Sequence, residues 1–472
     1  MNFFNNIFIL YAGAIMFSYV VLAIISLVEL KRYLRKTRCT DYMSILTSPF
    51  APGISLLAPA YNEGLTIIDN VKSLLSIMYN NLELIIINDG SKDDTIDKLI
   101  SAFDLVQVPF NVHSTIATKP VRGVYKSKNR AFKKLTVVDK QNGGKADALN
   151  VGMNISTKEL VACIDVDCII ERDALLKMVM PFLQSKTPVI ATGGVVRIAN
   201  SCSIEEGKLQ EVKLPKQQIV RFQTLEYLRA FLIGRMAWSK LNGLLLISGA
   251  FGLFRKDIAQ QAGGYNHNTV GEDMELVVRM RMYMAERKQP CKVVYIPDPL
   301  CWTEAPSDYK TLARQRNRWT RGTFETLSLH RKMFFNPKYG LMGMLSYPYW
   351  FFFEWLAPWI EVTGLIFMTV LLLLGKGSIP FAISLVLAVY TFSVFISMTA
   401  LLAEEFSYNQ YKQKRDILKL VITALIEPIL FHPRNVWWGI LGNIDLLKGK
   451  KNWGEMTRKG FVQSSKKVII PA

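Results

Sequence analysis

The strongest constraint on this chain is an uncharged run near its start. Residues 7–28 (IFILYAGAIMFSYVVLAIISLV) contain no Asp, Glu, Lys or Arg. About 20 such residues suffice for a helix to cross a bilayer. No small-residue cleavage site follows, and Glu29-Leu30-Lys31-Arg32 comes next, so residues 1–30 read as a membrane anchor rather than a removable leader. Lys31, Arg32, Arg35, Lys36 and Arg38 make 31–48 a basic linker, while no Lys or Arg precedes the run. Cationic flanks stay on the cytoplasmic side, which puts the N-terminus outside and the following domain inside.

A second apolar region lies at 339–447. The stretch 339–375 is broken by Pro348 and Pro358 and is too long for one upright span. It divides into a surface helix near 341–352 and a span near 354–375. Residues 379–403 make another crossing, and 416–447 is a short hairpin or a re-entrant pair. The tail 448–472 is basic and therefore cytoplasmic.

The 57 Lys and Arg against 38 Asp and Glu give a net charge of +19. Many of the cations flank apolar segments (KRYLRKTR, KQKR, KGKK), as membrane orientation and anionic lipid require. No nucleic-acid-binding motif accompanies them. The six cysteines form no CxxC pair and only four histidines exist, which argues against a zinc site. Two of the cysteines lie in apolar runs, as reduced and buried thiols do.

Between the membrane segments, 49–338 reads as an α/β domain. ISLLAP (54–59), LELIIIND (82–89), ELVACIDVD (159–167) and PVIATGGVVRI (188–198) are compact apolar runs, and helical spacing separates the first two. That alternation predicts a mainly parallel sheet covered by helices on both faces. Residues 105–140 break the rhythm and read as a strand-rich insertion, and 199–217 as a polar loop. Phe222, Leu225, Leu228, Leu232, Met236 and Trp238 place 221–242 either at the membrane surface or in the core.

Ligands on such sheets bind beyond the carboxyl ends of the strands. There stand Pro59-Ala60-Tyr61-Asn62-Glu63, then Asn88-Asp89-Gly90-Ser91, then Asp165-Val166-Asp167. Each cluster alone serves equally as a turn or a helix cap; three at one rim make a pocket. An Asp-x-Asp at a strand end offers hard oxygens for Mg2+ or Mn2+, ions that also bind substrate phosphates. Lys145, in NGGKADALN, sits where a helix start disfavours a cation. It is either paired with Asp147 or solvated, or it faces a nearby anion.

Three further stretches complete the set. SGAFGLFRKD (248–257) allows close backbone approach, or is simply a tight corner. In TVGEDMELVVRM (269–280), Thr269 and Glu272 fit a capping box, while Asp273 is either a general base or an acid favoured by the helix dipole. In RQRNRWTRG (314–322), Gln315, Arg318 and Trp319 share one helix face, fit to grip a diphosphate and a sugar or to anchor at a membrane surface.

Asp89, Asp165-x-Asp167, Glu272-Asp273 and Gln315-x-x-Arg318-Trp319, in that order, resemble the processive family 2 glycosyltransferases, which include cellulose, chitin, hyaluronan and poly-N-acetylglucosamine synthases. The single N-terminal span and the tail WGEMTRKGF are most similar to the poly-β-1,6-N-acetylglucosamine group. The resemblance implies a GT-A domain embedded between transmembrane helices of a bacterial cytoplasmic membrane. It implies that Pro59, Tyr61, Glu63 and Asp89 hold the uridine end of a UDP-sugar, and that Lys145 and Asp165 contact the nucleotide sugar. Asp167 would bind Mg2+ or Mn2+, and Asp273, beside Glu272, would take the proton from the acceptor hydroxyl. Gln315, Arg318 and Trp319 would hold the diphosphate and acceptor end, with Gly249, Ala250 and Phe251 bordering the acceptor site. The expected partners are a UDP-sugar, a growing polysaccharide, lipids and small export subunits. Polar residues within the spans, Glu354, Glu361 and Glu427, would line a pore or lie near the interface. Two alternatives are an enzyme adding one sugar to a lipid-linked acceptor and a non-catalytic membrane subunit. The chain leaves too little room after its last membrane segment for a PilZ domain.

Overall fold

The computed structural model describes residues 2–450 apart from 111–113 and 206–207, so the tail expected at 448–472 lies outside the described residues from 451 onward. The described strands are β1 (Ile54–Ala60), β2 (Leu82–Asn88), β3 (Leu105–Val108), β4 (Val121–Ser127), β5 (Leu135–Lys140), β6 (Leu160–Ile164), β7 (Ile169–Ile170), β8 (Val189–Ile198), β9 (Ser203–Glu205), β10 (Lys208–Glu211), β11 (Phe251–Arg255) and β12 (Lys292–Thr303). Ten of them form one sheet in the order β3-β4-β5-β2-β1-β6-β11-β8-β12-β7. Its centre, β5-β2-β1-β6, is parallel, and antiparallel ladders enter toward both edges. The parallel strands are buried almost throughout, as sheets covered on both faces are. On the helix Ile67–Leu75, Ile67, Val71 and Leu74 share the buried face. The helix Lys145–Ile155 is buried nearly all round against β1 and β2. This parallel centre aims the carboxyl ends of β1, β2, β5 and β6 at a single rim.

The structure corrects two parts of the sequence reading and decides a third, which the sequence leaves open. Residues 105–140 are not an insertion. β5 pairs in parallel with β2, and β4 and β3 extend the sheet to its edge, so the polar alternation there marks strands that are solvated on one side. Residues 199–217 contain the small antiparallel pair β9-β10 rather than loop alone. The stretch 221–242 lies in the core: the helix Gln218–Leu228, a π-helical turn Arg229–Arg235 and the helix Met236–Lys240 are packed between the sheet and the long apolar helices. Leu225 and Leu232 are fully buried there.

Two described helices are long and apolar enough to cross a membrane, Asn6–Thr37 and Ile379–Ser407, or three if a bent pair counts as one. That pair, Met342–Trp355 and Ala357–Leu373, is bent by 46°. Residues 342–355 run through short π- and α-helical turns in which Met342, Ser346, Tyr347, Pro348 and Tyr349 are buried, while Met344 and Leu345, and Leu341 just ahead of the segment, are exposed. Pro358 stands in the first turn of the following helix, where its missing N–H is no loss. The helices Lys414–Leu430 and His432–Leu447 are separated by Phe431, whose ring stacks on Phe222 at 5.0 Å. His432–Leu447 then lies along the helix Tyr309–Leu329, where Asn317 donates to Asp445 at 2.9 Å and Arg321 to the Lys450 carbonyl at 2.7 Å.

Candidate active site

The rim is assembled from a pinned loop. Lys140, fully buried at the end of β5, pairs with Asp89 and with Asp147, each at 2.6 Å. The backbone N–H groups of Gly143 and Gly144 donate to the two Asp89 oxygens at 3.0 and 2.8 Å. Gly144 has φ of +86°, a conformation that a side chain would strain, and it caps the next helix. Asp89 therefore forms part of the wall mainly by clamping the loop that carries Lys145. Both of its oxygens are engaged within the protein, and the residue also lines the cavity.

Asp147 is bound to Lys140, so it is not the partner of Lys145. The Lys145 ammonium reaches Asp165 at 2.5 Å and donates to the Gly249 carbonyl at 3.1 Å. Burial pulls it down, but Asp165, Glu272 and Asp273 together outweigh burial and raise it above the usual lysine range. A cation at this helix start is thus held by a ring of acids. Gly249 joins that ring to the base candidate, because its N–H donates to Asp273 Oδ2 at 3.0 Å. Asp273 Oδ1 accepts from the Met274 N–H at 2.8 Å.

The capping box at Thr269 does not form. The helix Glu272–Glu286 starts after Gly271, and the Thr269 hydroxyl donates instead to Glu325 at 2.8 Å. Glu272 is buried facing the site, and burial raises its carboxyl to about 7, with Asp273 adding to the rise and Lys145 opposing it. The unfolded chain holds this proton less tightly, so the contribution to stability is present at low pH and is lost as pH rises through about 7. Glu272→Gln is therefore expected to remove a loss of about 3 kcal/mol between acid and mildly alkaline pH. Its apparent Tm in lipid should exceed the wild-type value on the alkaline side and converge with it in acid. Parallel Tm profiles would contradict this.

The third wall is the helix Tyr309–Leu329. It crosses the entry to Glu272–Glu286 so closely that a Cβ on Gly271 would lie 2.8 Å from the Gly322 backbone, which places two glycines at the crossing. Gln315, Arg318 and Trp319 all face the same cavity as Asp273. Behind Trp319, the Arg316 guanidinium stacks on the indole at 4.0 Å and pairs with Glu226 at 2.5 Å. Arg316 and Glu226 were not singled out from sequence. Arg316 is adjacent to the motif, but nothing near Glu226 marks it.

Asp165, Asp167 and Cys168 bring ligand atoms within 4.8 Å of one another. Hydrogen bonding with Cys301 and burial push the Cys168 thiol well above its ordinary value, so it stays protonated. The effective donors are two carboxylates, a set that fits a hard divalent cation. All six cysteines are free thiols.

A single cavity of about 2150 Å³ joins these parts. Pro59, Tyr61, Glu63, Asp89, Lys145, Asp165, Asp167, Gly249, Ala250, Glu272, Asp273, Gln315, Arg318 and Trp319 all line it. Phe251 does not: it is buried in the core, paired in register with Ile164. The space exceeds the few hundred to about 1,000 Å³ of an ordinary ligand pocket. It continues between the apolar helices, past Tyr11, Tyr19, Glu354, Glu361, Phe392 and Glu427. Glu427 pairs with Arg229 at 2.9 Å and Glu361 with His432 at 2.8 Å.

Comparisons with known proteins agree with this geometry. The family model described as "Glycosyltransferase like family 2" matches residues 52–322. The poly-beta-1,6-N-acetyl-D-glucosamine synthase of Staphylococcus epidermidis is 33% identical over 279 residues, 58% of this chain and 55% of that protein. The synthase of the same name from Staphylococcus aureus (strain COL) is 31% identical over 278 residues, 58% of this chain and 55% of that protein. The chain thus spans about half the length of the curated relatives it matches. Among solved structures, the mannosyltransferase PcManGT from Pyrobaculum calidifontis, in complex with GDP-Man and Mn2+, is similar with a TM-score of 0.47 and 17% identity, over 88% of this chain and 98% of that one. The domain has the GT-A fold. Because the family match takes in more than half of the residues, and with them the whole rim from Asp89 to Trp319, the chain belongs to glycosyltransferase family 2.

Proposed function

We propose that this protein is a membrane-embedded inverting glycosyltransferase. It polymerises sugar units from a UDP-sugar into a β-linked polysaccharide and passes the product through the membrane half of the same cavity. The observation that carries the reading is the continuity of that cavity, from the acids and cations of the rim to the apolar helices. UDP-N-acetylglucosamine is the favoured donor, since the relatives at 31–33% identity are poly-β-1,6-N-acetylglucosamine synthases. UDP-glucose is the alternative. The rim faces the cytoplasm, where the donor is made.

In this scheme Asp165 and Asp167 would hold Mg2+ or Mn2+, which supplies charge neutralisation for a departing diphosphate. Lys145 and Arg318 add cationic charge beside it. Asp273 takes the proton from the acceptor hydroxyl as its oxygen bonds to the sugar's anomeric carbon. The bond from that carbon to the diphosphate breaks, and the diphosphate leaves with the electron pair. Attack opposite the leaving group inverts the anomeric centre. Trp319, held by Arg316, offers a flat face on which a sugar ring can stack.

The purified protein in lipid nanodiscs should release UDP from UDP-N-acetylglucosamine and form a product that a β-1,6-specific hydrolase degrades. A product carrying one sugar on a lipid would replace the polymerase with a single-addition enzyme. Failure of every nucleotide sugar to turn over would remove the enzymatic reading.

A further inference from the structure

The π-helical turn Arg229–Arg235 interrupts a helix packed between the sheet and the N-terminal membrane helix. Such turns recur where a side chain is aimed at a functional site. Here the turn ends on Arg235, which lines the cavity. Its guanidinium carbon lies 4.1 Å from the centre of the Phe231 ring, and Phe231 is stacked in turn, nearly parallel, on Tyr295. The guanidinium is therefore fixed on an aromatic platform. Its Nη1 is sealed from solvent and makes no well-aligned hydrogen bond within the protein, the neighbouring group being the equally sealed Tyr295 hydroxyl, which interacts with the same guanidinium.

An arginine is always charged and offers five N–H donors and no acceptor. Leaving a donor buried and unmade is costly, so the position calls for oxygen acceptors from elsewhere. Two carboxylates act on this cation through space: Asp273 on the rim side and Glu354 on the membrane side. Arg235 thus stands at the seam between the reacting centre and the path into the membrane. A sugar lying there would have one face toward Asp273 and the rest of its chain toward Glu354. With two acids already present, a further carboxylate is disfavoured, and neutral hydroxyl and carbonyl oxygens fit.

We propose that Arg235 is an acceptor-binding residue, which donates to the oxygens of an uncharged terminal sugar and turns its attacking hydroxyl toward Asp273. This assignment rests on the transferase reading above and goes beyond it in naming the acceptor contact and its charge class.

The test uses the full chain in nanodiscs, with a β-1,6-linked N-acetylglucosamine trisaccharide as probe. Binding is read by fluorescence of the tryptophans that line the cavity, among them Trp238 and Trp350. UDP binding is measured in parallel and, if retained, shows that a variant is folded. R235A is expected to weaken trisaccharide binding by about tenfold to a hundredfold while UDP binding is kept. R235K, which preserves the charge but not the planar fork, should fall between R235A and wild type. It also serves as the second variant should R235A fail to fold. Trisaccharide affinity equal to wild type in a folded R235A or R235K would overturn the proposal, as would wild-type protein that binds no trisaccharide. A trisaccharide containing a uronate that binds more tightly than the neutral one would overturn the charge class. If the trisaccharide binds in an Arg235-dependent way but no nucleotide sugar is consumed, the acceptor site stands and the transferase reading falls.

Discussion

Replacing Asp273 with Asn should cut sugar transfer roughly a thousandfold while UDP binds as before. The substitution keeps the shape and one oxygen of the side chain, so one of the Gly249 and Met274 N–H groups keeps its acceptor while the other loses it to the amide NH2. It removes the lone function that a neutral amide cannot supply, which is to accept a proton from a hydroxyl. A base contributes about 10²–10⁴ to such a step, and the nucleotide contacts proposed above lie elsewhere on the rim. Single-turnover UDP release, paired with calorimetric titration of UDP, checks both halves. Loss of UDP binding would move Asp273 from base to nucleotide ligand.

The second large effect is expected at Asp167. Asp167→Asn takes one of two hard oxygen donors from the Asp165–Asp167 pair. Removing the charge on which a cation depends should weaken Mn2+ binding by at least about a hundredfold, and transfer should fall with it. The readout that does not depend on activity is the free Mn2+ signal in electron paramagnetic resonance, titrated against wild type and variant. Excess EDTA should stop the wild-type enzyme, and Mn2+ should restore it. Full turnover in EDTA would take the metal out of the scheme.

The rim was legible in the sequence because its residues fall at sheet ends. Asp89, Asp165 and Asp167 each follow an apolar run whose length and composition already suggested a buried strand, so their convergence followed from parallel topology alone. Lys145 was legible as an anomaly, a cation where a helix start disfavours one, and the ring of Asp165, Glu272 and Asp273 resolves it. What could not be read depended on tertiary partners. The Thr269–Glu272 spacing satisfies a capping pattern, yet Glu325, from a distant helix, captures the threonine. Phe251 stands beside two lining residues, but strand alternation turns it into the core. Residues 105–140 were misjudged because edge strands alternate polar and apolar positions, unlike the central strands. Arg235, Glu226 and Arg316 gain their meaning from a π turn and an aromatic stack that no linear pattern encodes.

The packing of His432–Leu447 along Tyr309–Leu329 has a consequence for biogenesis. Residues more than a hundred positions downstream complete the far side of the helix that bears Gln315, Arg318 and Trp319. Chains are made from the N-terminus and domains fold as they emerge. A ribosome that has just finished residue 329 has therefore released the sheet and its acids, but not the helix that supports Tyr309–Leu329. On the proposed function, competence waits for His432–Leu447 to dock, so a nascent chain stalled before it would lack the finished machinery with which to use up donor.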